Sequence, residues 1–99
     1  MFTQENILEQ LNHKAGELKR NFTVRRIGLF GSLVRNEAGS ESDVDILVDF
    51  TEPTFDHYMD LKFYLEKLFG REVDLVIADN VKPRLKPLID KEVIYAKGL

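Results

Sequence analysis

The segment from Asp43 to Phe50 alternates apolar and polar side chains, and this alternation constrains the fold more than any other feature of the sequence. Successive residues of a β-strand point to opposite faces of the sheet. One face of this segment would carry four apolar residues, Val44, Ile46, Val48 and Phe50. The other face would carry Asp43, Asp45, Leu47 and Asp49. The pattern therefore predicts a strand that packs one face on a hydrophobic core and presents carboxylates on the other.

Two long helices are predicted from apolar residues that recur at helical spacing. The first covers residues 3–20, and Thr3 is positioned to cap it. The second covers residues 55–69, with Thr54 as its cap and Gly70 at its end. These helices lie on either side of the alternating strand along the chain.

Three further segments are predicted as strands, namely residues 24–30, 72–78 and a short final strand at 93–96. A short helix would begin at Pro83, and Pro87 would keep it short or bent. This order of elements predicts an α/β (α+β) fold in which helices pack on a small sheet. Because the link between the first two strands has room for at most a short helix, a mixed sheet is expected rather than a purely parallel one.

Length and composition limit the possible classes of protein. A chain of 99 residues is expected to form a single domain, 1–99. The absence of cysteine excludes disulfides and thiolate metal sites. No segment approaches the roughly 20 apolar residues of a membrane span, and the first ten residues do not resemble a signal peptide. We therefore expect a cytoplasmic protein with no membrane partner. The net charge of −3 argues against direct nucleic-acid binding but is compatible with a nucleotide accompanied by Mg²⁺.

Asp43 and Asp45 form a pair of carboxylates on one face of the alternating strand. Their α-carbons would lie roughly 7 Å apart, so their like charges repel. A divalent cation would remove this conflict, and Mg²⁺ prefers carboxylate oxygens, waters and substrate phosphates. Two such ions, about 3.5–4 Å apart, can activate an attacking oxygen and stabilise a leaving one. The alternative is that both aspartates simply solvate an exposed face of the sheet.

A third carboxylate, Asp74, interrupts the otherwise apolar run of residues 73–77. If its strand pairs with the strand of Asp43 and Asp45, Asp74 would lie about 5 Å across from them. It therefore favours a shared metal site over a solvated face. Asp49 would lie about 13 Å further along the strand than Asp45, so we interpret Asp49 as a solvent-exposed or rim charge and not as a ligand.

Gly31 and Ser32 directly follow the first predicted strand. Glycine there would let a phosphate approach the backbone closely. Ser32 could cap a short helix running to about Asn36, with its hydroxyl and free backbone amides facing an anion. Arg35, one turn later, could reach the same phosphates. An ordinary turn is the alternative, and the position of the Gly-Ser pair beside the carboxylate-bearing strand gives the phosphate interpretation its weight.

Taken together, these residues form the pattern Leu29-Phe30-Gly31-Ser32-x-x-Arg35, then Ser42-Asp43-x-Asp45-Ile46-Leu47-Val48, then Val73-Asp74-Leu75-Val76. The pattern closely resembles that of the minimal nucleotidyltransferase (MNT) family, which is part of the DNA polymerase β-like superfamily. The motifs cover residues 27–77, and the order of elements over the rest of the chain also fits. The resemblance implies the nucleotidyltransferase fold.

The resemblance also implies roles for individual residues. Gly31 and Ser32, together with Arg35 and Ser42, would bind ATP, with its triphosphate on the Gly-Ser turn. Asp43, Asp45 and Asp74 would be the catalytic and metal-binding carboxylates for Mg²⁺, with two ions expected. In the family the third carboxylate helps to ready the attacking hydroxyl. This chain departs from many relatives at the two residues flanking the arginine, Val34 and Asn36, which leaves the shape of the loop open but keeps every charged group.

The acceptor of the nucleotide is implied by the same resemblance. MNT proteins of this size resemble the antitoxin of HEPN/MNT toxin-antitoxin pairs, in which the MNT protein AMPylates a tyrosine of the HEPN ribonuclease toxin and silences it. The expected activity is therefore protein adenylyl transfer in a type VII-like pair. Two alternatives remain open: an antitoxin that neutralises its partner by binding alone, and a small-molecule nucleotidyltransferase that needs a separate acceptor-binding subunit.

The second predicted helix carries two apolar stripes. One stripe consists of Tyr58, Leu61, Leu65 and Leu68, and the other of Phe55, Met59 and Phe63. One stripe could pack on the sheet while the other binds a protein partner or a second copy of the chain, giving a homo- or hetero-oligomer. The alternative is a helix that is buried nearly all round.

Overall fold

The computed structural model of the protein describes residues 3–35 and 43–98, and its centre is a four-stranded sheet. The strands are β1 (Val24–Phe30), β2 (Val44–Phe50), β3 (Val73–Ile77) and β4 (Ile94–Tyr95). They lie in the order β3-β2-β1-β4. β2 is antiparallel to β1 and parallel to β3, while β4 is antiparallel to β1. The predicted mixed sheet is confirmed.

α-Helices precede β1 and also connect β2 to β3 and β3 to β4. Within the described ranges the α-helices are α1 (Gln4–His13), α2 (Ala15–Phe22), α3 (Phe55–Phe69) and α4 (Lys86–Glu92). Two short 3-10 helices cover Gly31–Leu33 and Ala78–Asn80. In this part of the chain, none of the helices has both the length and the apolar character that a membrane span requires.

The N-terminal helix predicted over residues 3–20 is in fact two helices. The predicted cap is confirmed, because the Thr3 hydroxyl accepts the backbone N–H of Asn6 at 3.2 Å. α1 ends at His13. The next residue, Lys14, has a φ of −97° and a ψ of 5°, which lie outside the helical range, and α2 then runs from Ala15 to Phe22. The apolar periodicity could not reveal this break, because the residues that it identified lie in the core on both sides of it: Ile7, Leu11, Ala15 and Leu18.

Helix α3 begins and ends where local signals predicted. The Thr54 hydroxyl accepts the backbone N–H of His57 at 3.1 Å, which satisfies one of the free amides at the start of a helix. At the other end Gly70 adopts φ +67° and donates its backbone N–H to the carbonyl of Glu66. This left-handed conformation suits glycine.

The same helix covers the outer edge of the sheet. β3 is an edge strand, and an edge strand exposes backbone groups that could pair with another chain. The Glu66 carboxylate accepts the Val73 backbone N–H at 3.0 Å. The Tyr58 hydroxyl donates to the Leu75 backbone carbonyl at 2.7 Å. α3 therefore packs on the sheet and also occupies hydrogen-bonding positions along its edge.

The C-terminal segment begins its helix later than predicted. The helix expected at Pro83 begins at Lys86, and Pro87 lies in its first turn, where the missing proline N–H would have no helical partner in any case. β4 then pairs with β1, and the two chain segments approach closely at Gly28. A Cβ atom on Gly28 would lie 2.7 Å from Val93 Cγ2, so only glycine fits there without displacement.

The hydrophobic core lies on one face of the sheet, against α1, α2 and α3. The alternation predicted for β2 is confirmed, because the side chains of its apolar stripe are buried: Val44, Ile46, Val48 and Phe50. Leu47 lies on the opposite face and is also only 3% exposed. Leu47 lines a small cavity of about 80 Å³ together with Val81, which precedes α4, and Ile89, which lies in α4. The C-terminal segment therefore covers the middle of the second face.

Candidate active site

The Gly-Ser turn lies at the end of the sheet where β1 ends and β2 begins. Phe30, the last residue of β1, is the register partner of Asp45, so Gly31 lies directly beyond Asp45. Gly31 has φ +81°, and a Cβ atom there would collide with the Asp45 carboxylate. The turn therefore requires glycine for two reasons, its left-handed backbone and its contact with a carboxylate.

Asp45 is bonded to this turn. The backbone N–H of Ser32 donates to the Asp45 carboxylate. Burial raises the pKa of Asp45, the negative charges of Asp74 and Asp43 raise it further, and the Ser32 amide together with Arg35 only partly lowers it. The net result is a pKa above the ordinary value for an aspartate. Asp45 therefore sits where a negative charge is poorly compensated by the protein alone.

Asp74 lies beside Asp45 on the neighbouring strand. The two residues are register partners in the parallel β2-β3 pair, so their side chains point to the same face of the sheet. The predicted pairing of the two strands is confirmed. Asp43, immediately before β2, is exposed, as is Asp74. Three carboxylates thus lie at the start of adjacent strands, and Asp45 is the least exposed of them.

These carboxylates suit a hard cation but do not enclose one. Within residues 3–35 and 43–98, no group of three or more His, Cys, Asp or Glu side chains is arranged to hold a metal ion by itself. Mg²⁺ is commonly bound by one or two carboxylates plus waters and substrate phosphates, without a cage made only of protein. The oxygen donors and the unbalanced charge around Asp45 fit this kind of site.

The turn itself differs from the sequence prediction. The short helix begins at Gly31, so Ser32 lies inside it and is not its cap. The backbone amides of Val34 and Arg35 both donate to the Gly31 carbonyl at 3.1 Å. The Ser32 amide that was expected to face an anion is directed at the Asp45 carboxylate. Ser42, another predicted nucleotide-binding residue, and Asn36, the predicted end of this helix, lie outside the described residues.

Sequence reasoning missed Glu92, which bonds to the same turn. Its Oε2 accepts the Gly31 backbone N–H at 2.8 Å, and its Oε1 accepts from an Arg35 guanidinium nitrogen at 2.6 Å. Burial acts to raise the pKa of Glu92, but the Gly31 amide and the Arg35 guanidinium outweigh it, so the pKa lies below the ordinary value. The sequence offered one signal that Glu92 has a specific role. An acidic residue at the C-terminal end of a helix is disfavoured by the helix dipole, so its presence there calls for a compensating contact.

Arg35 was expected to reach the phosphates of a nucleotide. The structure places it in an ion pair with Glu92, and its positive charge also lowers the pKa of Asp45. Arg35 is therefore part of the same cluster as the turn and the carboxylates. Its contact with a phosphate stays a prediction.

Two features outside this cluster help to define its limits. Asp49 was interpreted as a solvent-exposed or rim charge, but its carboxylate accepts two hydrogen bonds from Arg25, the shorter at 2.8 Å. A groove of about 430 Å³ is lined by residues that include Phe55, Tyr58 and Ile77. It lies toward the C-terminal end of β3, away from Asp74 at the start of that strand.

The fold and this cluster are those of a nucleotidyltransferase. Residues 11–96 match the nucleotidyltransferase domain family, so the chain belongs to that family and is a transferase. It is 46% identical, over 96 residues, to the protein adenylyltransferase MntA of Thermococcus cleftensis, and the alignment covers 96% of this chain and 97% of that protein.

Solved structures agree with this assignment. The structure of a proposed minimal nucleotidyltransferase has a TM-score of 0.78 and 34% identity, with 94% of this chain and 95% of that chain covered. A chain in the complex of the tri-AMPylated Shewanella oneidensis HEPN toxin with an MNT antitoxin has a TM-score of 0.64 at 21% identity, with 93% and 73% covered. The second likeness shows the fold alone. The resemblance to the MNT family that the motifs indicated is confirmed.

Proposed function

We propose that this nucleotidyltransferase transfers AMP from ATP to a hydroxyl group of a protein, and that the acceptor is a tyrosine of a HEPN ribonuclease toxin. In this proposal the chain acts in the cytoplasm as the antitoxin of a type VII-like toxin-antitoxin pair. The observation that carries the proposal is the partly buried Asp45 carboxylate, flanked by Asp74 and bonded to the Gly31-Ser32 turn. The adenylyltransferase relative from Thermococcus cleftensis supports AMP as the group transferred.

The donor half of the reaction is assigned to the turn and the aspartates. Gly31 and Ser32 would contact the triphosphate, with Ser42 and Arg35 beside them, and Asp43 and Asp45 would hold Mg²⁺, for which two ions are expected. The pKa of Asp45 is raised because its negative charge is partly buried and lies beside other aspartates. When bound, Mg²⁺ would supply positive charge at this position. The remaining work of the protein is alignment, because phosphoryl chemistry depends mainly on positioning and charge stabilisation.

The acceptor half is assigned to another molecule. The attacking tyrosine hydroxyl would form a bond to the α-phosphorus of ATP while the bond to the leaving pyrophosphate breaks. Asp74 lies beside Asp45 on the same face, where its carboxylate could receive the proton of the hydroxyl. The MNT antitoxin complex with its tri-AMPylated HEPN toxin supports a protein acceptor of this kind.

A second candidate function is neutralisation by binding alone. It is favoured by two large apolar side chains on α3, Phe55 and Phe63, which are 75% and 59% exposed. Exposed aromatic residues of this kind are typical of protein interfaces. In this case the nucleotide site would be secondary to the complex.

One experiment separates the two functions. The chain is incubated with the protein encoded by its neighbouring gene, as the proposed HEPN partner, together with Mg²⁺ and ATP, and the intact mass of the partner is measured. The adenylyl-transfer proposal expects the partner to gain the mass of one or more AMP units and to lose its ribonuclease activity. The Asp43→Asn/Asp45→Asn double variant should leave the partner unmodified and active. Full neutralisation by that variant, with no adduct in either reaction, would instead establish binding alone.

A further inference from the structure

The position of Glu92 follows from the register of β4. β4 pairs with β1 through Gly28 with Tyr95 and Leu29 with Ile94. Continuing this antiparallel register by two residues places Glu92 directly opposite Gly31. At that point α4 ends, and the Gly31 N–H is bonded by the Glu92 side chain rather than by a backbone carbonyl.

Both oxygens of the Glu92 carboxylate are engaged. Oε2 accepts from the Gly31 amide and Oε1 from Arg35, and the side chain of Glu92 is only 18% exposed. Hydrogen bonds between charged groups are stronger than those between neutral ones. The carboxylate therefore links Gly31, the first residue of the short helix, to Arg35, two residues beyond its end.

The turn is consequently held by two carboxylates. Glu92 bonds the Gly31 N–H, and Asp45 bonds the Ser32 N–H and also contacts the Gly31 α-carbon region. The arrangement fixes the backbone of the turn next to Asp45.

We propose that Glu92 is a positioning residue for nucleotide binding: its carboxylate holds Gly31 and Arg35 so that the Gly-Ser turn is formed next to Asp45 before the triphosphate arrives. This inference depends on the proposed function in one respect, that the turn binds the triphosphate of ATP. A preformed turn lowers the ordering cost of binding, so the loss of Glu92 would weaken nucleotide affinity more than it slows transfer from bound nucleotide.

Three variants of Glu92 test this role. Glu92→Ala removes both hydrogen bonds, Glu92→Gln keeps an acceptor for the Gly31 amide but loses the ion pair with Arg35, and Glu92→Asp keeps the charge on a shorter side chain. Asp90→Ala, an exposed acidic residue of the same helix, is the matched control. The measurements are the Kd of Mg²⁺-AMP-PNP by calorimetry, KM for ATP and kcat for AMP transfer, and the melting temperature.

We expect Glu92→Ala to raise the Kd and KM by about ten-fold or more while kcat changes less than about three-fold. Glu92→Gln should give an intermediate Kd, and Asp90→Ala should match the wild type. If Glu92→Ala unfolds, the Glu92→Gln and Glu92→Asp values decide, and wild-type Kd in both would overturn the proposal. Tighter nucleotide binding by any of the three would also overturn it, because Glu92 would then compete with the phosphates.

Failure of this inference and failure of the proposed function give different results. A wild-type protein that transfers AMP and a Glu92→Ala variant with the same Kd would reject the positioning role alone. A wild-type protein that binds Mg²⁺-AMP-PNP but transfers no AMP would reject adenylyl transfer, and the Kd series would still decide the role of Glu92. A wild-type protein that binds no nucleotide would reject both.

Discussion

Asp45 is the residue at which function and stability conflict most directly. It is the second residue of β2, a strand that otherwise packs well, yet its side chain is partly buried and lies beside the negative charges of Asp74 and Asp43. The sequence indicated this conflict, because Asp43 and Asp45 alternate with core residues. The bond from the Ser32 amide was not foreseeable, since it depends on the conformation of a turn in another segment.

The raised pKa of Asp45 leads to a prediction about stability. Burial and the neighbouring aspartates raise the pKa of Asp45 above that of an ordinary aspartate, so the folded state holds the proton more tightly than the unfolded state. The contribution of this carboxyl to stability therefore falls as the pH rises from the pKa of the unfolded chain through the pKa of the folded protein. Asp45→Asn removes the charge and keeps an acceptor for the Ser32 amide. In metal-free buffer at pH 7 we expect its melting temperature to exceed that of the wild type by about 2–4 °C.

The pH dependence and a control make this prediction specific. The gain should shrink as the pH falls through the raised pKa of Asp45, because the wild-type carboxyl then takes up a proton and loses its charge. Asp49→Asn, which loses hydrogen bonds from Arg25, should show no such gain. An Asp45→Asn variant that is no more stable than the wild type at pH 7 would contradict the account of Asp45.

The contact of Glu92 with Gly31 could not be predicted from the residues near either of them in the sequence. Nothing in the neighbourhood of Glu92 along the chain connects it with Gly31. The two residues meet only because β4 pairs with β1 in one register, and a two-residue strand has too little pattern to reveal its register in advance. The unfavourable position of Glu92 at a helix C-terminus was the only local sign.

At the scale of elements, α3 was predicted more accurately than the other helices. Its ends depend on a cap at Thr54 and a left-handed Gly70, which are local signals. The break between α1 and α2 leaves the spacing of the core residues on both sides unchanged, so periodicity alone did not locate it. The two apolar stripes of α3 also differ in outcome, because Leu61 and Leu65 are buried whereas Phe55 and Phe63 are exposed.

The exposed stripe of α3 leads to a prediction about partner binding. Phe63→Glu places a charge on a surface that we expect to contact the proposed protein partner, so the Kd of the complex should rise by about ten-fold or more. The side chain is exposed in the free protein, so the melting temperature should change little. Titration of the partner by calorimetry gives the Kd.

A matched control is available on another helix. Leu88 of α4 is 64% exposed, so Leu88→Glu introduces the same charge at a comparably exposed apolar position. It should leave partner binding within about two-fold of the wild type. Equal binding by the Phe63→Glu variant and the wild type, at normal stability, would exclude this face of α3 from the interface.

At the scale of the whole molecule, the topology explains why the site lies at one end of the sheet. β1 ends where the antiparallel β2 begins, and β3 begins beside β2 because the two are parallel. The Gly-Ser turn, Asp45 and Asp74 therefore come together although they are distant in sequence. The order of elements predicted a mixed sheet, but the place of β4 and the contribution of α4 to the site required the three-dimensional structure.

Asp45 and the Gly-Ser turn together form the site that we propose for nucleotidyl transfer. The test follows the rate at which label passes from α-labelled ATP to the proposed HEPN partner in the presence of Mg²⁺. We expect transfer by the wild type, none after EDTA is added in excess, and a loss of about 10³-fold for Asp45→Asn, while Asp49→Asn stays within about three-fold of the wild type. Transfer by Asp45→Asn at the wild-type rate would contradict the claim.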